Sequence, residues 1–171
     1  APDTVALREK FVGKKVLSTV GGLKNRKGQD LVIRALPEVI KKHPDALYVV
    51  VGGGDPSDFK ALAHSVGVSD YVHFTGRVSD EDIVRYFHLT DVYVHTPRAT
   101  NLNFEGFGIV YLEAGAAGKP VVAADSGGIR DAVVEGKTGL IAKDEAVSGV
   151  ARAIIELLAN PQRAKARGQG G

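Results

Sequence analysis

At 171 residues the chain has the size of one globular domain, long enough to bury roughly 70% of the surface that an unfolded chain exposes. Its 44% hydrophobic and 25% charged residues exclude a disordered or membrane-spanning composition, and no apolar run reaches bilayer length. Lys+Arg 22 against Asp+Glu 20 leaves a net charge of only +2, which excludes a dedicated nucleic-acid binder. The absence of cysteine excludes disulfides and thiolate metal sites and fits a reducing, cytoplasmic setting. The chain opens on Ala1-Pro2-Asp3 without an initiator methionine or a signal-peptide pattern, and residues 160–171 lose apolar periodicity and trail into glycine. The start reads as that of a fragment of something longer, and the end as a terminus or a truncation point.

Residues 3–12 predict a short lead-in helix, and Lys15 to Val20 a first strand ending at Gly21-Gly22. From Gly28 the apolar residues Leu31, Val32, Ala35, Leu36, Val39 and Ile40 recur at three and four, the stripe of an amphipathic helix that ends before Pro44. Leu47 to Val51 is an unbroken apolar run, the mark of a strand buried on both faces, and Gly52-Gly53-Gly54 terminates it. A helix over 57–66 precedes a third strand, Tyr71 to Thr75. Ser79 then caps an acidic first turn whose helix buries Ile83, Tyr86 and Phe87. Asp91 to His95 is strand four and Pro120 to Ala124 strand five. A helical turn over 129–134 leads to strand six, Thr138 to Ile141, and a closing helix over 144–159 buries Val147, Val150, Ala151, Ile154, Ile155 and Leu158.

Strands alternating with helices, the strands mostly unbroken apolar runs, predict an α/β domain spanning 1–171: a doubly wound, mainly parallel, six-stranded Rossmann-like sheet with helices on both faces. Ligands of such folds sit outside the carboxyl ends of the strands, near the topological switch point. That rule selects the loops holding Gly21-Gly22, Gly52–Gly54, Gly76–Val78, Glu105–Gly108 and Gly127-Gly128.

Two stretches carry chemistry. In Val20-Gly-Gly-Leu-Lys-Asn-Arg-Lys-Gly28 the adjacent cations Arg26 and Lys27 stand at a helix start, where the dipole already favours an anion such as a diphosphate. A glycine turn with solvated cations is the equally balanced alternative. Neither a Walker ending nor Gly-x-Gly-x-x-Gly is present. In the second stretch, Asn103 to Pro120, Gly106 and Gly108 allow a tight turn before a helix. Glu105 lies ahead of that helix and Glu113 inside it, up to about 12 Å apart if the span is helical. Gly118 suits a left-handed C-cap, and Pro120 prevents continuation. The five histidines show no zinc-site spacing, so no metal is expected.

Val20-Gly21, Leu23 and Lys27-Gly28, with Glu105-Gly-Phe-Gly-Ile-Val-Tyr-Leu-Glu113 and Gly118-Lys-Pro-Val-Val, resemble the nucleotide-sugar-binding half of the retaining glycosyltransferases of family four. The resemblance implies the C-terminal domain of a two-domain GT-B enzyme whose N-terminal half would bind the acceptor, a sugar or glycolipid. The enzyme would be cytoplasmic and peripheral to a membrane through that half. Transfer of a hexose, with mannose and glucose as candidates, from a UDP- or GDP-linked donor is implied, and the nucleotide sugar is substrate rather than cofactor. Glu113 matches the glutamate that binds the donor ribose. Glu105 matches the one beside the transferred sugar, and Lys27 the lysine that neutralises the diphosphate. Backbone groups of Gly106, Phe107, Gly108, Ile109 and Val110 would meet sugar and diphosphate, Val78 would contact the base through its backbone, and Asp80 could accept from a guanine edge or merely complement the helix dipole.

The family usually has an arginine directly after Val-Gly, where this chain has Gly22. Arg26 is the candidate substitute, with a solvent-facing loop arginine as the alternative. Two other functions fit the same architecture: a sugar-nucleotide epimerase or hydrolase, and a non-catalytic nucleotide-binding module, which Gly22 would favour.

Overall fold

The computed structural model describes residues 3–23, 28–96, 114–124, 139–142 and 147–160. Six strands form one sheet: β1 Lys15–Val20, β2 Ala46–Val51, β3 Val72–Phe74, β4 Val92–His95, β5 Val121–Ala124 and β6 Gly139–Ala142. Their order is β3-β2-β1-β4-β5-β6, and every neighbouring pair is parallel. The expected doubly wound sheet is therefore present. Chain progression reverses between β1 and β4, which defines the switch point.

The helices are α1 Val5–Lys10, α2 Gln29–Lys42, α3 Ser57–Ser65, α4 Asp80–Leu89 and α5 Val147–Ala159, with residues 114–116 also helical. The period of two sorts each strand between two cores. Tyr48 and Val50 of β2 join Leu17, Val92, Val94 and Val122 beneath α2, α3 and α5. Leu47, Val49 and Val51 join Val16, Val20, Tyr93, Val121 and Ala123 on the other face, with Phe11 beyond α1, with α4, and with Ala114. Because both faces are covered, the strands read as continuous apolar runs.

Local chemistry sets several element ends. The Ser79 hydroxyl accepts from the Asp82 amide at 3.2 Å, the expected cap of α4. After residues 114–116, Gly118 adopts φ 76°, its amide donates to the Gly115 carbonyl and the Lys119 amide to the Ala114 carbonyl, a Schellman stop. α2 runs through Pro37, which has no N–H to offer the Ile33 carbonyl.

Three expectations need correction. The third strand is shorter than 71–75: Tyr71 closes a 3-10 turn over Ser69–Tyr71, although the Thr75 amide still bonds the Val50 carbonyl at 3.0 Å. In α4, Tyr86 and Phe87 are buried as expected and Ile83 only partly so. In α5, Val147 and Ile155 are half-buried while Ala153 and Leu157 are buried. α5 packs on α2 as well as on the sheet, so its covered face is wider than, and rotated from, a single stripe. The helical turn expected at 129–134 lies outside the described residues.

A few polar groups are folded into the core, each with a partner. The Ser18 and Thr90 hydroxyls meet at 2.6 Å, and Thr90 also donates to the Tyr86 carbonyl. Thr19 bonds the Tyr48 hydroxyl at 2.7 Å and the Val94 carbonyl, tying β1 to both neighbours. Burial, only partly offset by the Thr19 bond, pushes the Tyr48 phenol well above its ordinary pKa and keeps it protonated. Among the described residues no helix is long and apolar enough to cross a membrane.

Candidate functional site

Three loops at the carboxyl edge of the sheet are stitched into one surface. The Gly21 amide bonds the Val51 carbonyl at 2.8 Å, and the Leu23 amide bonds the Gly53 carbonyl at 3.0 Å, so the loop after β1 lies on the loop after β2. Gly52 bridges Gly76 in antiparallel sense, and its amide reaches the Thr75 hydroxyl at 3.3 Å. Gly52 has φ 145°, and a Cβ there would fall 2.1 Å from the Gly21 carbonyl oxygen. Only glycine permits that approach. Arg77 and Val78 follow on the third loop, with the Arg77 Cβ 3.5 Å from where a Cβ on Gly53 would lie.

At the switch point the loop after β1 meets the end of β4. Gly28, the residue before α2, has φ 78°, and a Cβ on it would lie 1.9 Å from the Thr96 carbonyl oxygen. The Gly28 carbonyl accepts from the Leu31 and Val32 amides, so α2 starts at the ligand edge of the sheet, with its N-terminal dipole end there. Gln29 is fully buried, donating from Nε2 to the Gly22 carbonyl at 3.1 Å. Its Oε1 has no hydrogen-bond partner among the described residues.

Of the sequence-predicted site residues, Gly21, Gly22, Val78 and Asp80 are described, and all four stand on this edge. Val78 is half-buried against the core, while Asp80 is exposed at the first position of α4. Asp80 also heads a groove of about 440 Å³ lined by Ile83, Val84, Phe87, His88, Ala116 and Ala117. Arg26, Lys27, Glu105, Gly106, Phe107, Gly108, Ile109, Val110 and Glu113 lie outside the described residues. No cluster of three or more His, Cys, Asp or Glu suited to a metal occurs among the described residues.

The structure adds three residues that sequence reading passed over. Arg77 is an exposed cation on the third loop, signalled only by its place between Gly76 and Val78. Gln29 is signalled by its polarity at the head of an apolar stripe. Thr96, buried at the end of β4 with its hydroxyl 3.4 Å from the Gly28 carbonyl, has no local signal.

The model of the family described as glycosyl transferases group 1 matches residues 6–171. The chain belongs to that family. It is 40% identical to the GDP-mannose-dependent alpha-(1-6)-phosphatidylinositol monomannoside mannosyltransferase of Mycolicibacterium smegmatis, over all of this chain and 47% of that protein. It is 42% identical to the enzyme of the same description from Mycobacterium tuberculosis, over 85% of this chain and 39% of that protein. The chain thus spans less than half the length of these relatives. Among solved structures, HepE of Anabaena in complex with UDP and glucose superposes with a TM-score of 0.85 at 26% identity, covering 98% of this chain and 45% of that one. The C-terminal domain of a group 1 glycosyl transferase from Francisella tularensis shares the fold, with a TM-score of 0.81 at 23% identity, over 99% of this chain and 90% of that one.

Proposed function

We propose that the chain is the donor-binding, C-terminal domain of a retaining hexosyltransferase, with a GDP-linked sugar, foremost GDP-mannose, as donor. The observation that carries this reading is the stitched glycine edge beside the α2 N-terminus, in a chain whose 40–42% identical relatives are GDP-mannose-dependent. In this reading Lys27, Arg26 and the α2 amides stabilise the departing diphosphate, electrostatic work that a metal performs in other transferases. Glu113 holds the ribose, the backbone from Gly106 to Val110 meets sugar and diphosphate, and Glu105 faces the sugar, where positive charge develops at the anomeric carbon. The acceptor, a sugar or glycolipid, binds to an N-terminal half, through which the enzyme sits at a membrane. The 171-residue chain alone therefore binds donor and transfers little or nothing.

Calorimetric titration with GDP, UDP, ADP and their sugars tests the reading. Binding of at least one, weakened by Lys27→Ala, supports it; no binding to any overturns it. A second reading, a non-catalytic nucleotide-binding module, draws on Gly22 standing where the family carries arginine. In the full-length protein, Glu105→Gln that lowers turnover far more than binding favours the enzyme, and unchanged turnover favours the module.

A further inference from the structure

We infer that Gln29 is a positioning residue for the donor diphosphate: its buried amide holds the Gly22–Leu23 peptide with the carbonyl oxygen turned into the protein and away from the phosphates. The inference rests on the donor-binding reading above and adds a residue that acts on that site through the backbone.

The first observation is that one peptide is held from both sides. The Gly22 carbonyl accepts from Gln29 Nε2 at 3.1 Å, and the Leu23 amide, the other polar group of the same planar unit, donates to the Gly53 carbonyl at 3.0 Å. The plane of that peptide is therefore fixed. Because Gln29 is fully buried, an oxygen bonded to it points inward. Gln29 is itself anchored at the head of α2 by the close approach of Gly28 to Thr96. No side chain at position 22 restrains the peptide, and a Cβ there would find only the Gly53 carbonyl oxygen at 4.0 Å. Glycine leaves the unit free to turn, and the Gln29 bond removes that freedom.

The second observation is that folding alone does not call for glutamine here. Gln29 heads the buried stripe of α2, ahead of Leu31, Val32, Ala35, Leu36 and Val39, and its Oε1 has no hydrogen-bond partner among the described residues. A buried acceptor left unpaired is destabilising. An apolar side chain of similar size would strand no such atom, and the half-buried Gly22 could give its carbonyl to water instead. The bond donated to Gly22 is what the glutamine supplies.

The third step is electrostatic. A carbonyl oxygen carries partial negative charge, so turned outward it would stand beside the α2 N-terminus and offset part of the attraction that the helix dipole exerts on a diphosphate. Held inward, it leaves that edge to positive partial charge. Gly22 also lacks the arginine usual in the family, so the orientation of its backbone is what this position contributes.

The test uses the 171-residue chain and its Gln29→Leu and Gln29→Glu variants, with ligand-free thermal unfolding and calorimetric titration with GDP at pH 6 and pH 8.5. Gln29→Leu should unfold within about 2 °C of wild type, or above it, and bind GDP about tenfold more weakly. Gln29→Glu supplies the readout that a purely structural role would not move. Its ionised carboxylate only accepts and repels the Gly22 oxygen, whereas its protonated form donates one O–H and restores the bond. Its GDP affinity, taken as a ratio to wild type at the same pH, should therefore rise toward one between pH 8.5 and pH 6. A Gln29→Leu affinity within about twofold of wild type, or a Gln29→Glu ratio no better than that of Gln29→Leu at both pH values, would overturn the assignment. So would a ligand-free midpoint of Gln29→Leu lowered by more than about 5 °C, which would make the glutamine a folding residue. Wild-type GDP binding that Gln29→Leu leaves unchanged defeats this inference alone, whereas no binding of GDP, UDP or ADP by wild type defeats the donor-binding reading beneath it.

Discussion

Gly28 lies so close to Thr96 that a methyl group on Gly28 would stand 1.9 Å from the Thr96 carbonyl oxygen. The contact joins the start of α2 to the end of β4 and sits at the reversal of strand order. Gly28→Ala combines a left-handed φ of 78° with a backbone collision, and the expected destabilisation is roughly 2–4 kcal/mol. Urea unfolding measures it. A loss below about 0.5 kcal/mol would mean that the two loops are not in contact.

Gly22 is the contrasting case. Its φ is not positive, and the nearest atom to a new Cβ is 4.0 Å away. Gly22→Arg, which restores the residue usual in the family, should leave stability within about 0.5 kcal/mol and tighten nucleoside diphosphate binding, with the gain shrinking as salt rises. Weaker binding in this variant would show that the position faces away from the phosphates.

The Thr19–Tyr48 bond predicts an asymmetry between its two partners. Tyr48→Phe removes one buried hydroxyl and leaves Thr19 bonded to the Val94 carbonyl, an expected loss of about 1 kcal/mol. Thr19→Val strands the fully buried Tyr48 hydroxyl and frees the Val94 carbonyl, so roughly 2–3 kcal/mol is expected. Equal losses in chemical denaturation would contradict this network.

Stability should fall as pH drops below the ordinary histidine value of 6.5. Burial first, then the nearby Lys10 charge, lowers the His73 pKa. His88 is lowered by burial and by the Lys119 and Arg8 charges, among others. Both folded-state values lie below the unfolded one, so the stabilisation is present above pH 6.5 and is lost as pH falls through the folded values. The His73 ring also stacks edge-on to Phe11 at 5.4 Å. His73→Gln should flatten the decline in unfolding midpoint between pH 7.5 and 5.5; a slope identical to wild type would remove His73 as a source.

Much of the architecture was legible because it is local. The run from Leu47 to Val51 announces a strand covered on both faces, and it is buried throughout. Ser79 and Gly118 announce a helix start and stop, and both bond as expected. The α5 face was misjudged because its burial is set by α2 as well as by the sheet, a partner that periodicity does not name. Within the candidate site, Gly21, Gly22, Val78 and Asp80 were legible as members of a single edge. Arg77 was not, since its approach to Gly53 depends on β3 pairing with β2.

By itself the sequence determines an α/β alternation, two-faced burial and the family, through a lysine-glycine loop and a paired-glutamate stretch. Tertiary structure alone decides the strand order, and with it which loops become neighbours. Gly28 and Thr96, 68 residues apart in the chain, meet because β4 pairs with β1. The Gly21, Gly53 and Arg77 loops adjoin because β1, β2 and β3 lie side by side. Residue periodicity records which side of an element is buried, whereas contacts between distant loops arise only when the sheet assembles and its edges are brought together.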